Sequence, residues 1–77
     1  MEIKMFYRTQ RDLATALNQL VDAYWREDIT EQKLIESVCN IHKNNKEKLI
    51  KDQSFTKVVQ QHCGKRRLII VERILNI

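Results

Sequence analysis

The sequence predicts an all-α fold, a compact bundle of four to five short helices in which residues 1–77 form a single domain. Three observations predict it. The chain has one Gly and no Pro, which excludes turn-rich all-β and collagen-like classes. Its hydrophobic content of 43% is too high for a disordered chain. Apolar residues recur at helical spacing, and each series follows a residue suited to helix capping.

Length and composition also limit the function classes. A chain of 77 residues buries only roughly 63% of its unfolded surface and has little material for the walls of a substrate pocket. It contains no run of 18 apolar residues and no N-terminal apolar block of the kind a secretory signal needs. We therefore expect a cytoplasmic protein with no membrane partner, no small-molecule substrate and no cofactor. Cys39 and Cys63 are expected to be two buried, reduced thiols.

Residues 1–8 are predicted to form an N-terminal arm, and the first helix begins after it. Thr9 and Asp12 resemble a capping box with Asp in place of Glu or Gln. The apolar face that follows consists of Leu13, Ala16, Leu17, Leu20, Val21 and Tyr24. Asn18 and Asp22 lie off this face and are expected to be solvated.

The second helix is predicted from Thr30 onward. Thr30 is the expected N-cap, and Ile29 and Leu34 have the spacing of a hydrophobic staple around it. The apolar positions then continue through Leu34, Ile35, Val38, Ile41 and His42.

The middle of the chain is predicted to contain a short turn and a loop. Asn44 and Glu47 have the spacing of a second capping box, which would precede a turn carrying residues 49–50. Residues 52–54 are expected to form a loop, with Ser54 capping a helix that starts at Phe55. Residues Phe55, Val58, Val59 and His62 share its apolar side.

Gly64 is expected at the end of that helix, where a left-handed residue is favoured and Gly lacks the Cβ that opposes it. Residues 65–77 are predicted to form a last helix whose apolar side covers about half of its circumference. A strand at 68–71, paired with the alternating residues Ile3, Met5 and Tyr7, is the alternative. The expected core consists of Leu13, Leu17, Leu20, Val21, Leu34, Val38, Ile41, Phe55, Val59, Leu68, Val71 and Leu75.

Several stretches together resemble a known family. They are 7–10 (YRTQ), 13–14 (LA), 20–25 (LVDAYW), 45–49 (NKEKL), 55–56 (FT) and 63–68 (CGKRRL). In order and spacing this set resembles a family of very short, uncharacterised helical proteins from spore-forming Gram-positive bacteria and their phages and mobile elements. The resemblance implies an intracellular accessory protein and no assigned catalytic residue. One departure is Asp52-Gln53, where members of that family tend to have an Asn-Gly-like turn.

Charge is distributed unevenly along the chain. Residues 1–43 carry a net charge of −1 and residues 44–77 a net charge of +5. The candidate contacts for an anion, a nucleic acid or a partner are Lys57, His62, Lys65, Arg66 and Arg67. Three of them stand at the start of the last helix, where free backbone N–H groups and the helix dipole favour an anion. A solvated cationic patch is the alternative, and Arg67 falls within the apolar arc, where it would pair internally with Asp or Glu.

The chain also has more large apolar and aromatic groups than so small a core needs. Phe6, Tyr7, Trp25 and Ile69 are candidate interface residues, because aromatic side chains are enriched at interface centres. The alternative is that Phe6 and Trp25 cover the ends of the core. These residues predict a small non-catalytic regulatory or inhibitory protein that binds a protein partner or forms a homodimer. Nucleic-acid binding through the basic residues is the alternative function.

Metal binding and enzyme chemistry lack the residue patterns that they require. Cys39 and His42 have a spacing that suits one helical face, but His62 and Cys63 are adjacent and diverge by about 100° on a helix. The basic residues after Cys63 and the helix start near it predict a lowered thiol pKa. No base accompanies that thiol, so we predict no catalytic residue, no metal ligand and no enzyme activity.

Overall fold

The computed structural model describes Lys4 and residues 6–77. In this part of the chain, four helices and one two-stranded antiparallel sheet form a single small domain. Their order is α1 (Gln10–Trp25), α2 (Glu31–Asn44), α3 (Lys46–Leu49), β1 (Ile50–Lys51), β2 (Ser54–Phe55) and α4 (Lys57–Leu75). The predicted all-α bundle is confirmed, with a sheet that adds only four residues to it.

Threonine side chains cap the three long helices. The Oγ1 of Thr9 accepts from the backbone N of Asp12 at 3.0 Å, and that of Thr30 accepts from the N of Lys33 at 3.1 Å. Both caps were predicted. The cap of α4 is Thr56, whose Oγ1 accepts from the N of Val59 at 3.4 Å. The prediction that Ser54 caps this helix is wrong, because Ser54 lies in β2.

The predicted loop at 52–54 is instead the turn of a β-hairpin. Ile50 pairs with Phe55 and Lys51 with Ser54, which leaves two residues between the strands. Asp52 and Gln53 have φ angles of 53° and 68°. Positive φ at both central residues is the geometry of a type I′ turn, for which Asn-Gly is the favoured sequence. Phe55 therefore enters the core from a strand, and the helix that was expected to start there begins at Lys57.

Asn45, and not the predicted Asn44, occupies the N-cap position of α3. Asn45 is 4% exposed, and its side chain forms hydrogen bonds outside α3. Its Oδ1 accepts from the backbone N of Tyr7 at 3.0 Å, and its Nδ2 donates to the carbonyl of Ile41 at 2.9 Å. Asn45 thus fastens the segment before α1 to the end of α2.

The core lies where α1 packs against α2 and α4. Eleven of the twelve predicted core residues are buried, and the twelfth, Leu75, is partly buried and packs against the others. Leu49 and the small residues Ala14 and Ala23 are also buried. The side of α1 that faces the other helices is therefore wider than its large apolar residues alone indicate.

The last segment is helical, so the strand interpretation of 68–71 is wrong. Leu68 and Val71 are three residues apart, and both are buried on one side of the helix. Ile3 and Met5, the proposed strand partners, lie outside the described residues. α4 is not continuous, because Gly64 has φ 78° and ψ 163° and divides it into two halves, 57–63 and 65–75. The predicted positive φ at Gly64 is confirmed.

Two expectations about burial are wrong. Cys63 is buried, but Cys39 is exposed, because it lies about 100° around α2 from the buried Val38. His62 is exposed although it was placed on an apolar stripe, because it lies about 100° around α4 from the buried Cys63.

Candidate binding surfaces

Three residues of α1 contact the segment around the Gly64 kink. They are Ala14, Asn18 and Asp22, which are spaced four apart and lie on one side of α1. The Ala14 carbonyl accepts from the Cys63 Sγ at 3.6 Å, and Asn18 Nδ2 donates to the His62 carbonyl at 2.9 Å. The last carbonyls before a helix break have no partner within the helix. α1 supplies such a partner, so Asn18 is not the purely solvated residue that periodicity predicted.

Arg67 completes this arrangement. Its Nε and Nη2 donate to the two carboxylate oxygens of Asp22 at 2.9 and 3.0 Å, and its Nη1 donates to the Cys63 carbonyl at 3.1 Å. The hydrogen bond to Asp22 raises the pKa of Arg67 above its usual value. The predicted internal pairing of Arg67 is confirmed, and a paired guanidinium offers less charge to an external anion.

Because Arg67 is paired, fewer cations are available to bind an anion than the sequence indicates. Lys65 and Arg66 are exposed and line a shallow cavity of about 370 Å³ together with Gly64 and Trp25, which is 46% exposed. Lys57 and His62 are also exposed, but they lie on the first half of α4 and do not line this cavity. In the described part of the chain, neither Lys65 nor Arg66 belongs to an ion pair, and both lie beside the indole of Trp25, as does the paired Arg67.

The predicted activation of Cys63 is wrong. Burial raises the pKa of its thiol to about 11, and the nearby charge of Arg67 opposes this shift without overcoming it. A neutral, buried thiol is a poor nucleophile.

The candidate interface residues lie on separate surfaces. Phe6 is 67% exposed and lines a cavity beside the start of α1, about 24 Å along that helix from its other end at Trp25. Tyr7 is partly buried against the core, and burial raises its pKa. Ile69 is 41% exposed on the outer side of α4 and lines a groove beside Phe55.

An apolar cleft that the sequence did not single out lies between the end of α1, the start of α2 and the second half of α4. Its volume is about 350 Å³. It is lined by Tyr24, Glu31, Leu34, Ile35, Ile70, Arg73 and Ile74. We call it the isoleucine cleft. Ile70 lies one turn from Arg66, so the cleft and the cavity at Trp25 follow the same side of α4.

A second overlooked feature is a groove at the opposite end of α2. Lys43, Lys46, Lys48 and Lys51 line a concave surface of about 940 Å³. We call it the lysine groove. The only signal in the sequence is a rise in lysine content, which Glu47 and Asp52 partly offset.

The chain matches the model of a protein family described as "conserved hypothetical protein" over residues 4–76. The chain belongs to this family. No curated protein and no solved structure matches it. The residues matched by this conserved hypothetical family include the Gly64 kink, the isoleucine cleft and the lysine groove.

The residues of this family member that the structure describes contain no group of three or more His, Cys, Asp or Glu side chains arranged to hold a metal ion. Cys39 and His42 therefore have no third ligand of these types in that part of the chain. Within the same residues, no helix has the length and apolarity needed to cross a membrane.

Proposed function

We propose that this protein acts by non-catalytic protein–protein contact, with a second copy of itself as the partner bound at the isoleucine cleft. The observation that carries the proposal is a cleft with apolar side chains between two walls of opposite charge. The resemblance of the chain to short proteins of phages and mobile elements supports an accessory or inhibitory role in the cytoplasm.

Apolar exposure around the cleft supports a protein partner. Ile35 is 39% exposed on its rim, and Ile70 and Ile74 are only partly buried. Trp25 and Arg66 extend the same side of the molecule. Aromatic, aliphatic and Arg side chains in one patch are the composition of interface centres.

Charge complementarity favours a second copy. Glu31 lies on the wall formed by α2 and Arg73 on the wall formed by α4. Neither belongs to an ion pair in the described residues, where the pairs are Arg26 with Asp28 and Arg67 with Asp22. In a two-fold dimer, residue i contacts residue j of the partner and j contacts i. Glu31 of each copy can therefore face Arg73 of the other.

Sedimentation equilibrium between about 1 μM and 1 mM protein tests this proposal. We expect the weight-average mass to rise from 9.3 kDa toward twice that value. Ile35→Ser should weaken the association. Phe6→Ser, which removes a more exposed apolar side chain at the other end of α1, should not.

Charge reversal provides the decisive arm. Glu31→Arg and Arg73→Glu should each weaken self-association, because each places like charges opposite one another. Both substitutions in one chain should restore it, and mixing the two single variants should give the heterodimer selectively. A strict monomer across the concentration range would exclude the homodimer. Association that is unchanged by substitution of Glu31, Ile35 and Arg73 would exclude the isoleucine cleft as the interface.

Nucleic-acid binding at the start of the last helical half is the second candidate. Trp25 beside Lys65 and Arg66 favours it, since a cation-lined surface with an aromatic group suits a stacked base. The engagement of Arg67 by Asp22 counts against it, because the strongest bidentate phosphate ligand of the cluster is already in use.

A further inference from the structure

We propose that the lysine groove binds the phosphate backbone of double-stranded nucleic acid without reading its sequence. This site is separate from the isoleucine cleft and does not depend on self-association. It also differs from the candidate site at the start of the last helical half.

Three elements bring the lysines together. Lys43 lies in the last turn of α2, Lys46 and Lys48 in α3, and Lys51 in β1. The break at Asn45 and the hairpin turn the chain back on itself there, so ammonium groups from nine residues of sequence face one concave surface. Gln10 from α1 lies on the same surface and adds a neutral donor.

Among the described residues, the ammonium groups of the groove form no ion pair. In the part of the chain that the structure describes, neither Glu47 nor Asp52 forms an ion pair with any of the four lysines, although both line the groove. Lys43, Lys46 and Lys51 are exposed. Unpaired, solvated ammonium groups on flexible stems bind phosphate as point charges and lose little by doing so.

The local charge at this end of α2 favours a polyanion. The end of α1, the start of α2 and the connection between them, residues 22–36, have a net charge of −3, and Lys65, Arg66 and Arg73 of α4 lie at the same end. Residues 43–52, at the other end of α2, have a net charge of +2. Arg8 and Arg11 add positive charge near Gln10. The lysine groove therefore lies in a region of net positive charge, which favours a polyanion.

The lining of the groove favours a duplex backbone over other anionic surfaces. Ile50 is its only apolar residue and is partly buried, so the groove offers no side chain for insertion into a membrane. None of its lining residues is aromatic, so it offers no platform for the stacked bases of a single strand. The interaction that these lining residues favour is therefore contact with the phosphate groups of a duplex.

Fluorescence anisotropy with a random-sequence duplex at about 50 and 200 mM salt tests the proposal. If all four lysines contact phosphate, the slope of log K against log salt is about −3.6, and affinity falls roughly 150-fold over this range. The test variant carries Lys43→Gln, Lys46→Gln and Lys51→Gln. Its slope should fall to about −1, because three phosphate contacts are lost.

The matched control carries Lys33→Gln, Lys57→Gln and Lys65→Gln. These lysines are also exposed, and the control lowers the net charge by the same amount as the test variant. It should keep the slope and most of the affinity of the natural chain. It also removes Lys65, one cation of the alternative site beside Trp25.

Four results would overturn the proposal. They are no duplex binding by the natural chain at low salt, equal losses in both variants, a loss confined to the control, and a preference for vesicles of anionic lipid over the duplex. Equal losses would mean that only net charge matters. A loss confined to the control would place binding outside the lysine groove.

Discussion

Replacement of Gly64 by alanine tests the local cause of the kink in α4. At φ 78° and ψ 163°, Gly64 lies in a backbone region that is essentially restricted to glycine. A Cβ built there meets no atom within 4 Å. Steric contact therefore contributes nothing, and the cost of Gly64→Ala is that of the backbone conformation alone. We expect a loss of about 1–3 kcal/mol in the free energy of unfolding.

A D-alanine at position 64 is the matched control, since it carries the same methyl group with the opposite hand. For a D-residue, these angles correspond to an L-residue near φ −78° and ψ −163°, close to the allowed extended region. It should therefore leave stability unchanged or raise it by up to about 1 kcal/mol, because it restricts the unfolded chain. The variant is accessible by chemical ligation at Cys63, which becomes the first residue of a synthetic peptide covering 63–77.

Urea denaturation measures both variants, and thermal melting gives a second estimate. For a domain of this length, 1 kcal/mol corresponds to a shift of about 4–8 °C in Tm. Equal stabilities of the L- and D-alanine proteins would refute the reasoning. So would an increase in helical circular dichroism with L-alanine, which would mean that α4 straightens and that the contacts from α1 do not hold the kink.

Three further predictions concern other parts of the fold. Asp22→Asn should lower stability by about 1–2 kcal/mol, because it removes the anionic partner of Arg67; urea denaturation at low and high salt checks the loss and its ionic origin. The folded-state pKa of Cys63, about 11, exceeds its usual 9.0, so the neutral thiol favours folding, and this contribution falls by about 2 kcal/mol between pH 9 and 11. Cys63→Ala should lack that component of the fall, and a maleimide at neutral pH should label only Cys39. Gln53→Gly should raise the urea midpoint by an amount equivalent to about 0.5–1 kcal/mol, because glycine adopts a φ of 68° without strain.

The parts of the fold that were predictable depend on local chemistry. Thr9 and Thr30 were recognisable as caps because each is followed within a few residues by a periodic apolar series. The capping residue and the apolar series lie in one short stretch of sequence. The hairpin was not predictable in this way. Asp52 and Gln53 both adopt positive φ, yet neither is Gly or Asn, so the turn lacks its usual sequence signal. The pairing of Ile50 with Phe55 and the burial of Phe55 accompany that conformation.

The binding surfaces were predictable only where one residue revealed its own environment. Arg67 falls on the apolar arc of its helix, which was sufficient to predict an internal partner. The partner itself, Asp22, lies 45 residues away on a side of α1 that periodicity assigns to solvent. Asn18 and the lysine groove were overlooked for the same reason. Their roles depend on how separate elements pack, and no local pattern records that packing.

Arg67 also changes how the charge of the sequence should be interpreted. The C-terminal half carries +5, but Arg67 is paired across the fold with Asp22, and three of its lysines lie with Lys43 at the end of α2. None of these four lysines forms an ion pair in the described residues. Glu31 and Lys43 are twelve residues apart on one helix, about 18 Å. The isoleucine cleft and the lysine groove are thus far enough apart to act independently. Ile35→Ser should therefore leave the salt dependence of duplex binding unchanged, and the triple lysine variant should leave the mass distribution unchanged. Coupling between the two measurements would mean that one surface, and not two, carries the binding.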